Sequence, residues 1–131
     1  MRPSRFFPSH RFAIALALGL LVTRGASAGP EPTEADLNQA RERFGEARRL
    51  EDAGRWGEAL TLLQRVAEVK TTPQVRFHIA LCMENIGLWT EALDGYAQAA
   101  GEAKGSAPDV VTEANEHIRK LEGSMKRRSL R

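Results

Sequence analysis

Few side chains in this sequence have the types and spacing that metal binding or catalysis requires. Beyond residue 28 there are two histidines, His78 and His117, and they lie far apart in the chain. Neither has a second histidine three or four residues away, a spacing with which one helix can hold zinc. The histidine pattern therefore predicts no metal site, and each ring is expected to be an ordinary surface or half-buried side chain.

The other reactive residue types also lack the surroundings that chemistry needs. The glycines mark helix ends and form no phosphate-binding loop, and no serine lies in a nucleophile motif. The adjacent acids Glu51 and Asp52 are typical of a solvated helix face rather than of general acid–base catalysis. We therefore expect no enzymatic activity and no cofactor.

Cys82 is the single cysteine, so no disulfide can form within the chain. It follows Leu81 in an apolar stretch, which favours the role of a small buried hydrophobic residue. The alternative, in an exported protein, is a reactive thiol or an intermolecular disulfide.

Residues 1–28 have the layout of a secretory signal peptide. A start with three arginines and no acid precedes an eleven-residue apolar core at 12–22, which is short for a hydrocarbon layer of about 30 Å. Ala26 and Ala28 are small residues at the positions that a signal peptidase reads, which predicts cleavage after Ala28. A periplasmic or secreted protein is expected, and the alternative is an uncleaved N-terminal membrane anchor.

The charge of the chain is unevenly distributed. The whole sequence has 19 Lys and Arg against 17 Asp and Glu, and residues 1–28 hold four of the arginines and no acid, which leaves 15 against 17. The folded part is therefore mildly acidic, and nucleic-acid binding is not predicted because no basic face is expected on the domain. The tail at 125–131 is basic and is expected to fray; contact with acidic lipid is an alternative role for it.

Apolar residues spaced three and four apart predict an all-α domain over 34–124, after a linker at 29–33. Thr33 and Thr72 are expected helix N-caps, and Pro73 suits a first helical position. A loop is expected at 101–108. The predicted helices run from Glu34 to before Gly54, Trp56 to Val69, Pro73 to before Gly87, Trp89 to about Ala103, and Asp109 to about Ser124.

Two stretches of the chain repeat the same residue types at an interval of 33. A period in the low thirties that is carried by small and aromatic residues is typical of helical repeat arrays. The positions of the first copy are Phe44, Ala47, Leu50, Gly54, Trp56, Ala59, Leu60 and Ala67, and those of the second are Phe77, Ala80, Met83, Gly87, Trp89, Ala92, Leu93 and Ala100.

The most specific part of this repeat is Gly-x-Trp-x-Glu-Ala-Leu, at 54–60 and again at 87–93. Through these residues the chain resembles the tetratricopeptide repeat family over 37–104. Two features depart from the family pattern: the interval is one residue shorter than usual, and the early aromatic of each first helix is displaced to Phe44 and Phe77. The resemblance implies two helical hairpins, with the helix at 109–124 as a C-terminal cap. The alternative is that this last helix is half of a third repeat that another chain completes.

The repeated residues have distinct packing roles under this interpretation. Alanines are expected where paired helices approach closely, and a larger side chain there would force the helices apart. Each tryptophan fills the space beside the turn, and Tyr96 packs one repeat on the next. The predicted packing residues are Ala47, Gly54, Trp56, Ala59, Ala80, Gly87, Trp89, Ala92 and Tyr96.

The family resemblance also implies that the first helix of each pair lines a binding groove. An apolar floor with mixed charges suits an amphipathic helix or an extended peptide with one or two apolar anchors. No clamp for a C-terminal carboxylate is predicted, because Phe44 and Phe77 occupy the corresponding positions; the alternative is that both are core residues. The predicted groove residues are Arg41, Phe44, Arg48, Glu51, Gln74, Phe77, His78, Leu81, Glu84 and Asn85.

Together these features predict an exported, non-enzymatic scaffold or adaptor of the bacterial envelope that binds a protein or peptide. The alternative is a structural envelope component that self-associates and is held by an uncleaved N-terminal segment. An adaptor should be monomeric alone, whereas a self-associating component should change size with concentration.

Overall fold

A computed structural model describes residues 29–131, and this part of the chain forms five α-helices and no β-strand. The predicted all-α fold is confirmed. The predicted signal peptide, with its cleavage residues Ala26 and Ala28, lies outside the described residues. The helices are α1 (Glu34–Asp52), α2 (Trp56–Val69), α3 (Pro73–Asn85), α4 (Trp89–Ala103) and α5 (Pro108–Ser129).

Two threonines begin α1 and α3, as predicted. The Oγ1 atom of Thr33 accepts a hydrogen bond from the backbone N–H of Asp36 at 3.2 Å, and the Asp36 carboxylate accepts one from the Thr33 N–H at 2.9 Å. In α3 the Thr72 hydroxyl oxygen accepts from the Val75 N–H at 3.2 Å. These bonds satisfy backbone donors that have no partner inside a helix.

The turns that follow α1 and α3 are built in the same way. Gly54 and Gly87 have φ angles of 73° and 87°, a left-handed conformation that glycine adopts without the cost of a Cβ atom. Three residues past each helix, a backbone N–H donates to a carbonyl of the last turn, over 2.8 Å from Arg55 to Leu50 and over 2.9 Å from Leu88 to Met83. The chain therefore reverses direction at equivalent points of the repeat.

Each helix packs mainly against the next one in the chain, and α3 also touches α5. We call α1 with α2 the first unit and α3 with α4 the second unit. Inside both units the helices meet at fully buried alanines. A Cβ atom built on Gly95 would lie 2.9 Å from the Cβ of Ala80, so α3 and α4 are in close contact there. The alanines are Ala47, Ala59, Ala80 and Ala92.

The apolar core is larger in the second unit than in the first. One continuous cluster joins the second unit to α5, with Phe77, Tyr96 and Leu121 among its members. The first unit has two smaller clusters, and α3 supplies Cys82 to one and Val75 to the other. The half-buried Trp56 and Trp89 pack against the clusters of their own units. Because α3 contributes to every cluster, it joins the two units.

Two boundaries differ from the sequence predictions. Helix α4 ends at Ala103 as predicted, so the loop begins later than the expected residue 101, and α5 continues past the expected end near Ser124 to Ser129. The predicted frayed tail at 125–131 is therefore helical through Ser129. The Arg128 guanidinium lies 4.1 Å from the centroid of the Trp89 ring, a cation–π contact that the last turn of α5 supplies. None of the helices within 29–131 is both long and apolar enough to cross a bilayer.

Candidate binding groove

A groove of about 430 Å³ opens between the amino-terminal halves of α1 and α3. The end of α2 closes one side of it, because α2 connects the two helices and its last turn lies between their starts. Apolar residues dominate the lining and polar ones complete it. We call this the α1–α3 groove; it is lined by Leu37, Ala40, Arg41, Phe44, Val66, Lys70, Thr72, Gln74 and Val75.

The apolar part of the lining is fixed in place by the core. Ala40, Val66 and Val75 are buried and pack together as one cluster. Phe44 is half-buried between this cluster and that of Leu63, and its ring meets the His78 ring edge-on with centroids 5.4 Å apart. The groove therefore has an ordered apolar base, and its solvent-accessible apolar side chains are mainly Leu37 and Phe44.

The charged part of the lining is entirely positive. Arg41 and Lys70 are exposed at the groove, and no aspartate or glutamate is among its lining residues. An Arg41 guanidinium N–H donates to the Asn38 side-chain oxygen at 2.6 Å, which orients the arginine. The amino terminus of α3, at Thr72 and Gln74, also faces this space, and the helix dipole places partial positive charge there. The site thus favours anionic groups beside apolar ones.

The structure distributes the predicted groove residues over two separate openings. Arg41, Phe44 and Gln74 line the α1–α3 groove. Glu84 and Asn85 instead line a cleft of about 380 Å³ between the end of α3 and α5, together with Lys120. The exposed Arg48 and the half-buried Leu81 line neither of the two.

Three predicted groove residues are buried and do not face a partner. Phe77, His78 and Glu51 are 6%, 7% and 5% exposed. Phe77 is a core residue because α5 and Tyr96 cover it. The Glu51 carboxylate is buried, unlike the exposed Asp52 beside it, so the expected solvated acidic face is wrong for Glu51. His78 is likewise neither a surface nor a half-buried side chain.

Glu51 and His78 meet where α1 packs near α3, at a site that we call the first junction. The carboxylate of Glu51 accepts from the Nδ1 atom of His78 at 3.0 Å and from the Nε atom of Arg48 at 3.2 Å. A second Arg48 nitrogen, a terminal one, lies 2.6 Å from Nε2 of His78. Cys82 donates to the same carboxylate from 3.5 Å. The buried Glu51 and His78 thus have hydrogen-bond partners in each other, in Cys82 and in the partly exposed Arg48.

Glu84 and His117 meet at the second junction, between α3, α4 and α5. The Glu84 carboxylate accepts from the Tyr96 hydroxyl at 2.6 Å and from the Nδ1 atom of His117 at 2.7 Å. The Tyr96 and His117 rings stack with centroids 4.9 Å apart. Glu51 and Glu84 are 33 residues apart in the sequence, so the two junctions use equivalent acids of the repeat.

Burial changes the acidity of two groups beside these carboxylates. Loss of solvent, and then the nearby Glu51 charge, raise the pKa of Cys82 to about 12. Burial, and then the hydrogen bond to Glu84 and the charge of that carboxylate, raise the pKa of the Tyr96 hydroxyl well above its ordinary value. Both groups therefore stay protonated at neutral pH, and Cys82 is the small buried residue that its sequence context predicts.

Sequence reasoning missed the junctions and part of the groove. Glu51 and His78 are 27 residues apart, and Glu84 and His117 are 33 apart, so no local motif connects them. The sequence signal that could have indicated the junctions is that Glu51 and Glu84 occupy equivalent positions of the repeat. In the groove, the sequence prediction includes neither Val66 and Lys70, which come from the end of α2, nor Val75 of α3, which is buried in the core.

Comparisons with known proteins give no relative on which to base a function: no protein-family model, no curated protein and no solved structure matches the chain. Within residues 29–131, no cluster of three or more potential metal-binding side chains occurs. The residues of the groove and of the two junctions are therefore the basis for a functional proposal.

Proposed function

We propose that this chain is an exported, non-enzymatic interaction module that binds a peptide segment of a protein partner in the α1–α3 groove. The observation that carries the proposal is the groove itself, an ordered apolar surface between two helices with cations at its edge. Its volume of about 430 Å³ falls within the common range of about 300–1,000 Å³ for binding pockets. The proposed location, periplasmic or secreted, rests on the sequence of residues 1–28.

The architecture that we propose for this module is a short tetratricopeptide-like array, two helical hairpins closed by α5. Its support is the equivalence of the two units at an interval of 33 residues, with glycine turns and buried alanines at matching positions. In such an array the first helices of successive units form a binding surface, which is where the α1–α3 groove lies.

The partner segment that fits this groove combines one or two apolar side chains with at least one carboxylate. The apolar side chains would replace water over Leu37 and Phe44, and each fully buried one contributes about 1.5–3 kcal/mol. A carboxylate would lie near Arg41, Lys70 and the start of α3. A basic segment would be repelled by the same groups, so charge selects between segments of equal hydrophobicity.

Binding of short synthetic peptides to the purified full-length chain tests this proposal. One peptide series combines leucine with glutamate, and a second combines leucine with lysine. The glutamate series should bind more tightly, and Arg41→Glu should weaken it by about tenfold or more because it reverses a charge at the groove. Phe44→Ala should weaken both series.

Arg65→Glu is the matched control, because it makes the same charge change on an exposed residue of α2 outside the groove. Circular dichroism on each variant establishes that its helices are intact. Equal binding of the two peptide series, or equal weakening by Arg41→Glu and Arg65→Glu, would contradict the proposal.

Self-association is the second candidate function, and one observation favours it. Ile86 and Leu88 are 43% and 41% exposed at the turn between α3 and α4, on either side of Gly87. Two neighbouring exposed apolar side chains are a candidate contact between copies of the chain. Light scattering over a range of protein concentrations tests this, since a constant monomer mass would rule it out.

A further inference from the structure

We propose that the two junctions respond to acid in opposite directions: a proton on His78 weakens the first junction, whereas a proton on His117 strengthens the second. This inference does not depend on peptide binding. It follows from the hydrogen-bond partners of the two histidine rings and from the cation that only one of the junctions contains.

At the first junction the partners of His78 require a neutral ring. The Arg48 guanidinium can only donate, so Nε2 of His78, 2.6 Å away, must accept. Nδ1 therefore carries the hydrogen and donates to Glu51 at 3.0 Å. The other neighbours of the ring are Phe44 and Phe77, whose rings make T-shaped contacts with it. On α3, the helix that carries His78, the titratable group one turn away from it is Cys82, which also donates to Glu51.

A proton on Nε2 would break this arrangement. Two N–H donors would then face each other, and the contact between Arg48 and His78 would be lost. Arg48 already balances the Glu51 charge from a side chain that is 47% exposed. Protonation would exchange this half-solvated cation for an imidazolium on a residue that is 7% exposed. That exchange adds a desolvation cost without supplying a missing charge.

At the second junction the cation is missing. Glu84 accepts from Tyr96 and from Nδ1 of His117, and within 29–131 no arginine or lysine forms an ion pair with it. On α5, Glu113 lies one turn before His117, Glu116 is adjacent to it, and Lys120 lies one turn after it in the cleft that Glu84 lines. The His117 side chain is 24% exposed, so its protonation costs little solvation and completes an ion pair.

The contrast comes from one position of the repeat. Residue 48 is arginine in the first unit, and residue 81, which is 33 positions later, is leucine in the second. Arg48→Leu therefore gives the first junction the residue of the second. If the inference is right, this one substitution should remove most of the acid sensitivity that His78 causes.

The test is urea unfolding of the full chain, followed by tryptophan fluorescence, at about pH 8 and about pH 5.5, between which histidines ordinarily take up a proton. The variants are Arg48→Leu, His78→Gln and His117→Gln. A single histidine changes the unfolding equilibrium constant by at most about tenfold per pH unit. Acid should raise the unfolding equilibrium constant of the wild type. Arg48→Leu and His78→Gln should remove most of that rise. His117→Gln should make the rise larger.

Imidazole ¹⁵N NMR of the unsubstituted chain gives a readout that requires no variant to fold. At about pH 8, the spectrum of the folded protein should show His78 with its hydrogen on Nδ1, as its contacts with Arg48 and Glu51 require. A His78 ring with its hydrogen on Nε2, or equal acid responses of the wild type, Arg48→Leu and His78→Gln, would overturn the inference.

Discussion

Phe44 and Phe77 occupy equivalent positions of the two units, but Phe44 is half-buried at a groove and Phe77 is 6% exposed in the core. The difference arises from what surrounds each ring. Phe77 contacts Tyr96 and His117, with ring centroids 5.4 and 5.7 Å away, whereas the first unit has the smaller Leu63 in place of Tyr96. Equivalent residues can thus lie at an open groove in one unit and in the closed core of the other.

The largest loss of stability is expected at the repeat position that differs most between the units, which holds Leu63 in the first and Tyr96 in the second. Tyr96→Ala should lower the free energy of unfolding by about 3–5 kcal/mol, because it empties the centre of the larger core and removes a partner of Glu84. Leu63→Ala should cost about 2–4 kcal/mol, because no hydrogen bond is lost. Urea unfolding measures both. A greater loss for Leu63→Ala than for Tyr96→Ala would contradict the unequal roles of the two cores.

A second, smaller difference between the two units is expected in alkaline solution. Burial and the Glu84 carboxylate raise the pKa of Tyr96, so the folded state favours the protonated phenol. The stability that this provides is complete below the unfolded-state value of about 10 and is lost as the pH rises beyond it. Tyr96 is the single tyrosine in the chain, so the ultraviolet absorbance of phenolate reports on it alone.

In an alkaline titration, phenolate absorbance should appear only together with the loss of helical circular dichroism. Phenolate that forms near pH 10 while the helices are intact would show that Tyr96 is accessible. In the first unit the equivalent Leu63 cannot ionise, so the phenolate signal reports on the second unit.

The smallest predicted effect on stability comes from a contact of Trp89, the tryptophan of the second unit. Arg128 lies over the Trp89 ring, and Arg128→Ala should cost about 0.5–1 kcal/mol, as exposed cation–π contacts do. It should also change the fluorescence of Trp89, which can be isolated by replacing Trp56 with phenylalanine. Arg127→Ala is the matched control, since Arg127 donates to Ser124 on its own helix. Equal effects of the two substitutions would show that the contact contributes nothing.

The local features of the fold were predictable from the sequence because their causes are local. The bounds of α2 follow from its apolar spacing, the starts of α1 and α3 from Thr33 and Thr72, and the turns from Gly54 and Gly87. Each of these depends on residues within one or two helical turns, which periodicity and capping rules describe.

The surroundings of α3 could not be predicted in this way. Helices α2, α4 and α5 all pack on it, so its buried residues, Val75, Phe77, His78, Ala80 and Cys82, do not form one narrow stripe. A pattern of apolar residues cannot show that His78 is buried when its partners come from a different helix. The continuation of α5 to Ser129 was missed for the same reason, because Trp89 in α4 supplies the contact for Arg128.

The junction carboxylates have a consequence for how the chain folds. Glu51 belongs to the first unit but is satisfied by His78 of the second, and Glu84 belongs to the second but depends on His117 of α5. A unit that formed alone would leave its acid without that partner, and α3 would leave Val75 and Cys82 uncovered. The coupling between neighbours should therefore exceed the intrinsic stability of either unit. We expect the five helices to form and melt in one cooperative transition.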